Sequence, residues 1–141
     1  MTIPNILAGS TMIETCPEEK ELSLHMETQH RGDAIVLHCK GRIVFRDEAA
    51  ALSRTVGELL QRTQHLVVEL SGVEAIDSAG LGELVLLHMW AEGNRYSVKL
   101  ASPSKRVRHL LQITNLALVF EIYDTVDDAL AALQEKMRRS A

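Results

Sequence analysis

The six residues HLVVEL (65–70) constrain the fold of this 141-residue chain most. The run is short, rich in β-branched residues and almost unbroken in apolar character, which suits a strand covered on both faces. Such a strand needs a layer on each side of its sheet, and helices are the usual cover. The sequence on either side supplies them. From Asp47 onward, Ala49, Leu52, Val56, Leu59 and Leu60 fall at helical spacing and predict a helix to about Gln61. GELVLLHMWAEG (82–93) is apolar around most of a helical wheel, with Gly93 placed to end it. Its excess of apolar residues assigns Met89 and Trp90 to core packing, with a face toward a subunit or partner as the other reading. SVKLA (97–101) predicts another strand. Ser102 reads as an N-cap with Pro103 at the first helical position, ahead of a short helix through Val107, Leu110, Leu111 and Thr114. VFEIY (119–123) predicts the last strand. TVDDALAALQEKMRR (125–139) closes the order as a helix, with Thr125 and Asp128 able to form a capping box. Its buried stripe is Val126, Ala129, Leu130, Leu133 and Met137.

Upstream, LSLHMET (22–28) and AIVLHCKGRIV (34–44) alternate apolar and polar residues, with HRGD (30–33) as a turn. Pairing Gln29 with Ala34 puts Met26 opposite Leu37, Leu24 opposite Cys39 and Leu22 opposite Gly41 on one apolar face. Ser23, His25, Glu27, His38, Lys40 and Arg42 take the other. A slip of one residue would destroy the match. In this register His25 faces His38. Two histidines without a carboxylate or thiolate beside them make a thin metal site, so a solvated pair is expected and no metal. The predicted fold is α/β: one domain with a mixed sheet of about five strands, an N-terminal antiparallel hairpin, then alternating helices and strands, with four helices in all.

The net charge of −4, from 15 basic and 19 acidic residues, supplies no global positive field for nucleic acid. Cys16 and Cys39 are too few for a disulfide framework, which points to a reducing, cytoplasmic compartment. Residues 1–20 read as a flexible arm and 21–141 as the folded domain. The N-terminus lacks the basic region of a signal peptide, and no segment is apolar for long enough to insert in a membrane.

The chemistry concentrates at GVEAIDSAGLGELV (72–85), where an apolar run ends in Asp77-Ser78 and two glycines open a helix. A nucleophilic elbow would need glycine where Ile76 stands. A dinucleotide fingerprint would need one at Val85. Capping of the helix by Asp77 or Ser78 is the plainest reading, and it leaves N–H groups at the bend for an anion or a partner. SKRVRH (104–109) sets three basic side chains near a helix start, against the dipole; a solvated face is the commoner explanation, an acidic partner the sharper one.

This stretch resembles the signature of the STAS domain, in which an apolar strand meets Asp-Ser-Ser/Thr-Gly-(apolar)-Gly at a helix start. The resemblance runs over residues 20–134 and takes in Gly41 in LHCKGRIV, the strand, Ser/Pro and helix ending LLQITNL, and FEIYDTVDDALAAL. It implies an anti-sigma factor antagonist: a protein-binding module, not an enzyme, without cofactor. Its partner would be an anti-sigma factor of the histidine-kinase-like ATPase type, contacted through Asp77, Ser78, Ala79, Gly80, Leu81 and Gly82, with Gly41 and Arg42 beside them. In that family the second hydroxyl residue of the motif takes a phosphate that ends binding. Here that position is Ala79, which has no hydroxyl, so the resemblance implies a docking surface without its usual switch. Ser78 is not expected to take over as acceptor. A second departure is Val44, where the family often has an acid. Two other readings stay open: a STAS-like structural subunit of a signalling scaffold or transporter-associated ATPase complex, and a small anion or nucleotide binder. Homo-oligomerisation is also left open.

Overall fold

The computed structural model describes residues 13–15 and 23–140. Its centre is β4 (His65–Ile76), in which the run 65–70 continues through the apolar half of the motif. β4 pairs in parallel with β3 (Ala34–Ile43) on one side and β5 (Ser97–Ala101) on the other. β2 (Leu24–Arg31) lies antiparallel to β3, and β6 (Ile122–Tyr123) parallel to β5. A short strand, β1 (Ile13–Thr15), adds to β2, so the sheet runs β1-β2-β3-β4-β5-β6. Five of these strands are the predicted ones. β1 falls inside the stretch expected as an arm, and the remainder of residues 1–20, Cys16 included, lies outside the described residues.

Because β3 to β6 follow one another in order, each crossover steps the same way along the sheet. Crossovers of one hand then put their helices on one face. Helices α1 (Arg46–Leu59), α2 (Ser78–Gly93) and α3 (Lys105–Ile113) accordingly share one core, with Leu52, Leu84 and Val107 packed over Leu37, Leu66, Val68 and Leu100. α4 (Val126–Ser140) follows the last strand and covers the opposite face, where Ala129 and Leu133 meet Val36, Val67 and Ala101. The run 65–70 is thus covered on both sides, as its composition requires. The predicted cap of α4 is present, Thr125 Oγ1 accepting from the Asp128 N–H at 3.0 Å. The Met137 side chain lies outside the described residues.

The hairpin keeps its predicted faces but not its predicted register. Arg31, not Gln29, pairs with Ala34, so Met26 faces Cys39 and Leu24 faces Gly41. Leu22 lies outside the described residues. Alternation has a period of two, so it forbids a slip of one residue and is blind to a slip of two. Gly32 decides between them. With φ at 61° it takes the first central position of a two-residue turn, a position that favours glycine. His25 consequently faces Lys40, and His38 faces Glu27. The His38 ring instead spans two partners, Nδ1 lying 3.0 Å from Glu69 Oε1 and Nε2 2.9 Å from Gln29 Oε1. Burial pushes the Glu69 carboxyl up, but hydrogen bonds from His38 and Ser71 outweigh it and hold the group below the usual carboxylate range.

Four further expectations are corrected. The N-cap of α3 is Ser104, not Ser102: its Oγ accepts from the Val107 N–H and donates to the Val73 carbonyl at 2.7 Å. Two serines flank Pro103, and the one that can also satisfy a carbonyl of β4 becomes the cap. The strand expected over 119–123 shrinks to Ile122–Tyr123, because Leu116–Leu118 turn as a 3₁₀ helix and Phe120 swings into the core against His88. Gly93 is the last residue of α2 rather than its terminator, and Arg95 takes the positive φ after it. Trp90 is 47% exposed and stacked on Tyr96, and Leu86 and Met89 are exposed too. One stripe of α2 (Leu81, Leu84, Leu87 and Ala91) reaches the core. The surplus apolar residues are left uncovered by the described residues, in keeping with the other reading, a face toward a subunit or partner.

Candidate functional site

The motif lies at the carboxyl ends of the parallel strands, where β4 stops at Ile76 and α2 starts at Ser78. Asp77 is the hinge between them. Its backbone is extended, its N–H donates to the Ile43 carbonyl at 3.2 Å, and both carboxylate oxygens are engaged. Oδ1 accepts from the Gly80 N–H at 3.0 Å and caps α2; Oδ2 accepts from the Phe45 N–H at 3.2 Å. One side chain thereby ties the start of α2 to the β3–α1 connection. Of the two candidate caps, Asp77 is the one used. Ser78, at the first helical position, is exposed, and its hydroxyl makes no hydrogen bond among the described residues.

The six motif residues divide by exposure. Gly80 and Leu81 are buried, Asp77 is half-buried, and Ser78, Ala79 and Gly82 face outward. Gly80 is required by close approach: a Cβ there would lie 2.7 Å from Ile43 O and 2.7 Å from Ile76 Cγ1. Among the described residues Gly82 has nothing within 4 Å of where its Cβ would be, so none of them demands a glycine there. Gly41 sits at a register shift between β3 and β4 with φ at 108°, and a Cβ there would run into the Ser23 carbonyl oxygen. Arg42, next to it, is exposed, and its N–H donates to that same oxygen at 3.0 Å. The structure thus gathers the sequence-predicted set at one end of the sheet, with Val44 buried beside it.

Two residues of this end carry no signal in the sequence. Glu48 is buried and takes N–H groups from Val44 at 3.0 Å and Ser23 at 2.9 Å, bracing the loop from below. Phe45 precedes α1 with φ at 75° and ψ at 157°, a region otherwise almost confined to glycine, and its side chain is 69% exposed. An apolar residue continuing an alternating run reads as more strand, which hides both features.

The electrostatics are uneven. Arg42, Arg46, Lys105 and Arg106 are exposed at this end without ion pairs among the described residues, while Arg108 is bound to Asp124 at 2.9 Å. The first turns of α2 and α3 hold no acidic residue. The Asp77 carboxylate nevertheless occupies the place at the start of α2 that a bound phosphate would take, which disfavours an anion cradle. Among the described residues no group of three or more His, Cys, Asp and Glu side chains is placed to hold a metal, and no helix is long and apolar enough to cross a membrane.

Residues 25–129 match the STAS domain. Over 69 residues the chain is 39% identical to a Thermotoga neapolitana protein named as a homolog of an anti-sigma factor antagonist, and over 67 residues 36% identical to a Thermotoga maritima protein that carries that name. These matches cover 49% and 48% of this chain and 61% and 59% of the relatives, less than two thirds of their length. In three dimensions it is similar to an anti-sigma factor antagonist from Mycobacterium paratuberculosis, with a TM-score of 0.71 and 25% identity over 86% of this chain and 99% of that one. A T. maritima structure described in the same terms gives a TM-score of 0.69 and 26% identity over 76% and 92%.

Proposed function

Given that this chain belongs to the STAS domain family, we propose that it is an anti-sigma factor antagonist that sequesters an anti-sigma factor of the histidine-kinase-like ATPase type. The observation that carries this reading is the division within the motif. Asp77, Gly80 and Leu81 are spent on holding the bend, while Ser78, Ala79 and Gly82 stand outward on a bare, rigid turn. A turn fixed from beneath and small on top suits close approach by another protein's backbone. Gly41 and Arg42 extend the surface on the neighbouring strand. The action is binding, in the cytoplasm, without catalysis or cofactor.

Ala79 is exposed where the family's acceptor hydroxyl would be, and its methyl group cannot take a phosphate. Binding is therefore constitutive, and is set by abundance or by a competing antagonist. A phosphate there would add about −1.5 to −2 charges to a surface that has to be desolvated, and so would end binding. The Ser78 hydroxyl makes no hydrogen bond among the described residues, and its position one residue early argues against it as a substitute.

The test is affinity capture from native extract with and without ATP, followed by reconstitution with the purified ATPase that is recovered. An ATPase-type anti-sigma factor bound equally in both conditions supports the proposal. Recovery of transporter or scaffold components with no such ATPase overturns it.

A further inference from the structure

Resting on that reading, we propose that Phe45 is the anchor of the interface, inserting into an apolar pocket of the anti-sigma factor whose rim carries carboxylates. The backbone there is hard to explain by folding alone. A phenylalanine at φ 75° and ψ 157° is strained, and strain of this kind persists only where surrounding structure enforces it. The enforcement is visible on three sides. The Phe45 N–H is held by Asp77 Oδ2, its carbonyl accepts from the Ala49 N–H at 3.2 Å, and the residue before it is tied to Glu48. Among the described residues nothing comparable holds the ring: it is 69% exposed and outside the hydrophobic core, and it has no aromatic partner. The chain therefore keeps a costly conformation whose effect is to aim an aromatic side chain at solvent beside the motif. Aromatic residues in this setting are the usual centres of binding energy.

The surrounding charge narrows the occupant. Arg42 and Arg46 lie three residues before and one residue after Phe45, and Lys105 and Arg106 stand on the neighbouring α3. Arg46 opens α1, where the helix dipole already contributes positive potential. Asp47 and Glu74 are exposed in the same region, whereas the Asp77 and buried Glu48 carboxylates accept backbone N–H groups within the fold. A pocket that accepts the ring on a surface carrying the exposed Arg42 and Arg46 gains from acidic residues at its mouth.

Phe45→Gly separates the strain from the contact. Glycine relieves the backbone and loses the ring, so thermal stability should hold or rise while affinity for the purified ATPase-type partner falls about thirtyfold or more, as for a hot-spot residue. Leu118→Ser, which removes an exposed apolar side chain elsewhere, should leave affinity unchanged. Charge reversal by Arg46→Glu should weaken binding mainly by slowing association, more so at low salt. If Phe45→Gly binds like the wild type while the wild type binds its partner, the anchor is wrong and the antagonist reading stands. If Phe45→Gly is markedly less stable, the ring is a packing element and the inference fails. If the wild type binds no such ATPase, both fall together.

Discussion

Replacing Gly80 and Gly82 by alanine, one at a time, should move stability in opposite directions. Both glycines lie in the first turns of α2, two residues apart, and differ in what surrounds them. At Gly80 an added methyl would sit 2.7 Å from Ile43 O, 2.7 Å from Ile76 Cγ1 and 2.9 Å from Ile43 Cγ2. Carbon–carbon contacts are comfortable near 3.5–4.0 Å, so the helix start has to withdraw by several tenths of an ångström or more. The Ile43 carbonyl that blocks the methyl also accepts from the Asp77 N–H, so withdrawal loosens that bond and the Asp77 link to Phe45. Overpacking of this order costs about 1–3 kcal/mol. At Gly82 the space is open, and alanine gains up to about 1 kcal/mol from helix propensity. The two variants should differ by about 2–3 kcal/mol, or roughly 5–10 °C in Tm for a domain of this size. Urea unfolding followed by circular dichroism reads the difference directly. Equal stability of the two variants would refute the claim that α2 is pressed onto Ile43 at its first turn.

Two further outcomes follow from the geometry. Glu69 has its folded-state pKa held below the ordinary value, so its contribution to stability is present above about pH 4.5 and is lost as the pH falls through the folded value. Denaturation curves between pH 3 and 6 should therefore be flatter for Glu69→Gln than for the wild type; identical slopes would contradict the pairing with His38. Ala79→Ser should restore an acceptor hydroxyl on the exposed first turn of α2, so intact mass after incubation with ATP and the partner ATPase should show one phosphate on that variant and none on the wild type. A phosphate mapped to Ser78 in the wild-type chain would remove the argument for constitutive binding.

Much of this could be read from residue order alone, and the failures share a physical cause. Period-two alternation assigns Leu24, Met26, Leu37 and Cys39 to the core face correctly, and the nearly unbroken apolar run HLVVEL predicts a strand covered on both faces, as it is. The same alternation could not tell Gln29 from Arg31 as the partner of Ala34, because both choices keep every face. Apolar character at 119–123 predicts a strand, although Phe120 spends it on the core and only two residues pair. At the site, Asp77 is one of two caps the sequence offers, and Gly80 and Gly41 come with the resemblance; capping, close approach and positive φ are the physical reasons the structure supplies for them. Phe45 has no such signal in the sequence. Its conformation is imposed by Asp77, which takes its N–H from 32 positions away in the chain, and by Glu48, which holds the preceding Val44, and its exposure contradicts what its side chain favours.

The sheet ends in strands of three residues, Ile13–Thr15, and two, Ile122–Tyr123. Among the described residues, outer strands this short offer few unpaired main-chain groups of their own, so a foreign strand finds little of them to zip onto by hydrogen bonds. The proposed recognition through the α2 turn and the loop at Phe45 would then let partner choice be rewritten one residue at a time while the ladder of strands stays untouched.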